Sequence, residues 1–155
     1  MKYTLLTKEQ FEELNEEFAR FLASQEIDKT EWNEIKANRP EVARKEMEIF
    51  SDVVWDKALE QAKYIDHIGT KSINLFFKEN LDFYRVAIRV NRAGFDLENP
   101  EDYKWLMANL DDAQVEIFTG KKSLDENWKE EIFDLIQKGS VLSNGDLYKA
   151  LTPYF

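Results

Sequence analysis

Between residues 72 and 90 the chain reads Ser72-Ile73-Asn74-Leu75-Phe76-Phe77-Lys78-Glu79-Asn80-Leu81-Asp82-Phe83-Tyr84-Arg85-Val86-Ala87-Ile88-Arg89-Val90, and two periodicities compete in it. Ile73, Leu75 and Phe77 alternate with other residues, and Tyr84, Val86, Ile88 and Val90 alternate again beyond Glu79-Asn80-Leu81-Asp82, which is the period of a half-buried strand. Ile73, Phe76, Phe77 and Leu81 also satisfy a helical stripe, so an all-α chain is the alternative. The alternation predicts a β-hairpin, with strands at about 72–78 and 83–91. Val115, Ile117 and Thr119 alternate up to Gly120 and predict a third strand at about 114–119, in one small antiparallel sheet.

Upstream, the pattern turns helical. Thr7 and Gln10 make a capping box, Leu6 and Phe11 a hydrophobic staple, and Phe11, Leu14, Phe18, Phe21 and Leu22 recur at helical spacing to about residue 24. Asp28 and Glu31, flanked by Ile27 and Trp32, repeat the signature for a short second helix. Pro40 then opens a long central helix, expected over about 40–68. Its first apolar stripe is Ala43, Met47, Phe50, Val54, Ala58 and Ile65. Val42, Ile49 and Val53 form a second, so contacts are expected on two sides.

Downstream, Asn99-Pro100 starts a helix carrying Tyr103, Leu106, Met107 and Leu110. Ser123 and Glu126 read as the box of another, with Leu124, Trp128, Ile132, Leu135 and Ile136 on its apolar face and Gly139 as its stop. A last short helix lies around Leu147, Tyr148 and Leu151. The fold class is therefore α+β: five to six helices around the long one, with a small antiparallel sheet. No internal repeat and no Gly-, Ser- or Pro-rich linker interrupts the 155 residues, so residues 1–155 are read as a single domain.

Composition narrows the functions. There is no cysteine, hence no disulfide, thiolate metal site or cysteine nucleophile, and a reducing, cytoplasmic setting is expected. No apolar run has the length of a membrane span. With 31 acidic against 21 basic side chains the formal net charge is −10, which opposes general binding to phosphate backbones or anionic membranes.

Leu6-Thr7-Lys8-Glu9-Gln10-Phe11, Glu31-Trp32-Asn33-Glu34-Ile35-Lys36, Phe50-Ser51-Asp52-Val53-Val54-Trp55, Tyr103-Lys104-Trp105-Leu106, Val115-Glu116-Ile117-Phe118-Thr119-Gly120 and Leu135-Ile136-Gln137-Lys138-Gly139 together resemble an uncharacterised family of small acidic proteins from Bacteroidota bacteria. The resemblance runs nearly end to end and implies a natural, full-length, bacterial cytoplasmic protein. It supplies no catalytic or binding residue.

The residues themselves offer four constellations. Glu48, Asp52 and Asp56 recur at i, i+4 and i+8, a spacing open to a divalent metal, but Lys45 and Lys63 share their strip, as on an ordinary solvated helix face. His67, the only histidine, follows Asp66 near the expected end of the central helix, where a capping role competes with base catalysis. Lys121-Lys122 stands ahead of the Ser123 box, where free N–H groups favour an anion; the full phosphate-loop pattern is absent because Val115 stands where it needs glycine. Lastly, Lys71, Lys78, Arg85, Arg89 and Arg92 form a basic island within an acidic chain. On a strand, Arg85 and Arg89 share the face opposite Tyr84, Val86, Ile88 and Val90, open to an acidic partner or paired with the chain's own carboxylates. The four tryptophans read as core.

No catalytic residue, metal ligand or cofactor site emerges. The leading expectation is a non-enzymatic interaction protein that meets another protein, at an acidic surface, through Lys78, Arg85, Arg89, Arg92, Lys121 and Lys122. An enzyme or small-ligand binder of unfamiliar type, gathering Asp66, His67, Arg85 and Lys122 around a pocket, is the alternative. Nucleic-acid binding through the basic island comes third, against the net charge. Oligomeric state is left open.

Overall fold

A computed structural model describes residues 1–155, in two compact units, Met1–Glu60 and Gln61–Phe155. The first is all-helical: α1 (Lys8–Glu13), α2 (Asn15–Ser24), α3 (Lys29–Asn38) and α4 (Pro40–Glu60). The Thr7 box forms as its residues require, with Thr7 Oγ1 accepting from the Gln10 N–H and Gln10 Oε1 accepting from the Thr7 N–H. Asp28 caps α3 through the Glu31 N–H. The expected first helix is interrupted once, at Leu14 (φ −102°, ψ 23°), and its apolar stripe carries on across the break.

Phe11, Phe18, Phe21, Trp32 and Phe50 pack ring against ring in this unit, with centroids 4.9–6.2 Å apart. Beside them Ser51 is fully buried, its Oγ donating to the Met47 carbonyl (2.7 Å) and accepting from the Leu6 N–H (3.0 Å). The buried polar group is thus matched on both sides, which removes most of its desolvation cost. The second stripe of α4 differs from expectation: Ile49 and Val53 lie exposed, so the helix is covered on one side there.

The Gln61–Phe155 unit carries a five-stranded antiparallel sheet in the order β4-β3-β2-β1-β5, made of β1 (Tyr64–Ile68), β2 (Ser72–Glu79), β3 (Asp82–Val90), β4 (Val115–Ser123) and β5 (Val141–Ser143). The predicted hairpin is β2–β3, with Asn80 at positive φ (55°) in the two-residue turn. Cross-strand pairing puts Ile73, Leu75, Val86, Ile88 and Val90 on one face. α5 (Pro100–Ala108), the Phe95–Leu97 segment and α7 (Asp146–Leu151) close over that face and make the core with Leu106, Leu110 and Leu151. The opposite face is met by α6 (Trp128–Gln137), and a 3₁₀ turn, Thr152–Tyr154, ends the described chain.

Three boundaries correct the sequence reading. The long helix stops at Glu60, and Tyr64–Ile68, expected as its last turns, is a strand paired with both β2 and β5. Five residues are too few to separate a period of 2 from 3.6, and Tyr64, Ile65 and Ile68 favour the strand. The third strand does not end near Thr119 but runs to Ser123, because β3 begins at Asp82 and its backbone there pairs with Ser123. The Ser123–Glu126 box consequently does not form; Asp125 instead accepts from the Asn127 N–H (2.8 Å) ahead of α6. Gly145, the residue before α7, is required as glycine: its φ is +84°, and a Cβ there would sit 2.6 Å from the Tyr64 ring.

Candidate functional site

Alternation along β2, β3 and β4 decides which side chains can meet. On the face away from the core, β2 presents Asn74, Phe76 and Lys78, β3 presents Phe83, Arg85, Ala87 and Arg89, and β4 presents Glu116, Phe118, Gly120 and Lys122. Phe76 and Phe83 stack nearly parallel (5.2 Å, 11°). α6 crosses this face with Glu131 and Leu135 inward. Between helix and sheet lies an open groove of about 400 Å³, lined chiefly by Phe76, Phe83, Arg85, Gly120, Lys122 and Leu135. Its floor is aromatic and its rim carries charge.

The rim cations differ in how they are satisfied. Lys122 is ion-paired with Glu131 of α6, and Arg89 with Glu116 (Nε to Oε2, 2.9 Å), whose carboxyl it holds below the usual carboxylate range. Lys78 lies over the Trp128 ring (4.1 Å to the centroid), where burial pushes its ammonium down from the usual lysine value. Arg85 is different. Both its Nε and Nη2 donate to the neutral Oδ1 of Asn74 (3.1 and 2.6 Å), its guanidinium lies 5.8 Å from the Phe76 ring centroid, and it makes no ion pair with a carboxylate. Arg85 is therefore the one guanidinium on this face without a carboxylate partner, and it is held in place beside an apolar floor.

The six expected contact residues are accordingly divided. Arg85 and Lys122 meet in the groove; Lys78 and Arg89 share the face on either side of it. Lys121 also lines the groove, but its ammonium lies over the Tyr84 ring (5.4 Å) and 3.8 Å from Asp82 on the core face, and Arg92 lies over Trp105 of α5. Lys121 and Lys122 stand on a strand and not directly ahead of a helix N-terminus. Phe76, Phe83, Gly120, Glu131 and Leu135 were not expected at a site; the alternation that assigned Arg85 its face assigns Phe83 the same one, and the others needed the register.

The remaining constellations resolve into structural contacts. Asp66 and His67, adjacent on β1, point to opposite faces and do not pair; His67 Nδ1 lies 2.9 Å from the Ser140 hydroxyl. Asp66, His67, Arg85 and Lys122 thus do not converge on one pocket. Asp66 Oδ1 is buried without a partner, and burial raises its carboxyl above the usual range, opposed by the Ser143 hydroxyl. Asp52 accepts the backbone N–H groups of Lys2 (2.7 Å) and Tyr3 (2.9 Å), Asp56 accepts the Tyr3 hydroxyl (3.1 Å), and Glu48 pairs with Arg44. Asp52 and Asp56 of α4 thus hold the extended segment ahead of α1. All four tryptophans are half-buried rather than enclosed.

No helix is long and apolar enough to cross a membrane. A family model described as a family of unknown function (DUF6495) matches residues 1–155. No curated protein and no solved structure matches the chain.

Proposed function

The chain belongs to this family of unknown function, and we propose that it is a non-enzymatic interaction protein whose groove between α6 and the sheet receives an acidic segment of another protein. The observation that carries the reading is Arg85. A guanidinium already oriented by Asn74, beside an aromatic floor, loses little freedom when a carboxylate docks, and a planar carboxylate fits its remaining N–H groups. An apolar neighbour of that carboxylate finds Phe76, Phe83 and Leu135. The net charge of the chain opposes an acidic partner in general, so the attraction must be local, at this face. A cytoplasmic setting belongs to the proposal and rests on the lack of cysteine.

The test is an amide NMR titration with an end-capped octapeptide alternating glutamate and leucine. The reading expects shifts concentrated at Phe76, Phe83, Arg85, Gly120, Lys122 and Leu135, lost in high salt. Shifts centred elsewhere, or none, contradict it.

A further inference from the structure

We infer that Gly120 is the doorway of a carboxylate subsite on Arg85, an inference that rests on the proposed acidic-segment reading and specifies where the acid enters. Gly120 sits in the middle of β4, directly paired with Arg85 and on the same face. Mid-strand glycine weakens a strand, so it asks for a reason. Neither usual reason applies. Its φ is outside the left-handed region, and a Cβ built there meets nothing within 4 Å. The backbone does not need a glycine and no neighbour crowds one out.

What the missing side chain does is leave Arg85 uncovered. Directly opposed residues in an antiparallel pair hold their Cβ atoms roughly 4.5–5.5 Å apart, so any branched side chain at position 120 would stand against the arginine stem and over its approach. On this face of β4 the flanking positions are filled, by the exposed ring of Phe118 and by Lys122, which Glu131 already neutralises. β4 is also the edge strand, with no sheet neighbour beyond it. The notch at Gly120 thus opens from the sheet edge onto the one guanidinium of the groove that lacks a carboxylate. The occupant is the side chain of an aspartate or glutamate in the partner segment. It enters over Gly120 and takes the N–H groups of Arg85 that Asn74 leaves free, while the adjacent apolar residue lies on Phe76 and Phe83.

The test uses a fluorescein-labelled form of the glutamate/leucine octapeptide and fluorescence anisotropy, on wild type, Gly120→Val and Arg85→Gln, with a melting temperature for each. Valine favours the strand, so Gly120→Val is expected to melt at or above wild type and yet bind the peptide about tenfold or more weakly, as Arg85→Gln does. If Gly120→Val melts lower or self-associates, Gly120→Thr, with the same branching, replaces it. Wild-type affinity in the filled variant, alongside loss in Arg85→Gln, overturns the doorway and leaves the groove reading standing. No binding to wild type overturns both.

Discussion

Arg85 spends two of its N–H groups on one oxygen, Oδ1 of Asn74, a diagonal neighbour on the adjacent strand. The chain carries 31 acidic side chains, yet none of them is paired with Arg85. Arg89, four residues further along the same strand face, has found one in Glu116. The amide at position 74 orients the guanidinium without neutralising it.

Asn74→Ala should therefore weaken binding of the glutamate/leucine peptide by about two- to tenfold, the cost of having to order a guanidinium that Asn74 no longer holds. Fold stability should move by about 0.5 kcal/mol or less, because the position is only half-buried. Anisotropy and chemical denaturation read the two effects separately.

Ser51 carries a prediction about the helical unit. Ser51→Ala leaves the Leu6 N–H without its acceptor in a buried place. The expected loss is about 1–3 kcal/mol, read as a lower urea midpoint at unchanged slope.

Asp66 makes stability depend on pH in a direction that can be worked out. Its folded carboxyl titrates above the usual aspartate value because burial disfavours the charge. The folded state then holds a proton that the unfolded state has released. The contribution of Asp66 is intact below the unfolded pKa and is lost as pH rises through the folded one. Asp66→Asn removes that loss. Thermal melts of the two proteins should diverge in favour of the variant as pH rises from the acid range towards neutrality, and the gap should close again in acid.

How much of this could be read from residues alone follows from lengths and periods. The β2–β3 hairpin is long enough for its alternation at Ile73, Leu75, Val86 and Ile88 to prevail over the helical reading. The capping box at Thr7 is local chemistry and forms as written, whereas at Asp28 the side chain caps the Glu31 N–H without the reciprocal half of the box. Tyr64–Ile68 and Val141–Ser143 are short strands whose pairing is decided by distant partners, and their local β preference spans too few residues to fix a period. Gly120 looked like a strand end, but β3 holds the chain extended past it. At the groove, the shared face of Arg85 and Arg89 was legible from a period of 2. Which arginine is left without a carboxylate was not, because that depends on where Glu116 and Asn74 fall across the register.

The most direct test of the central claim is a charge exchange at Arg85. Wild type and Arg85→Glu are each titrated with the glutamate/leucine octapeptide and with a lysine/leucine octapeptide, at low and high salt. The account predicts that wild type binds the acidic peptide, that Arg85→Glu loses it by tenfold or more (about 1.4 kcal/mol or above), and that the variant gains the basic peptide in its place. Undiminished binding of the acidic peptide to Arg85→Glu, mapped to the same groove, would contradict it.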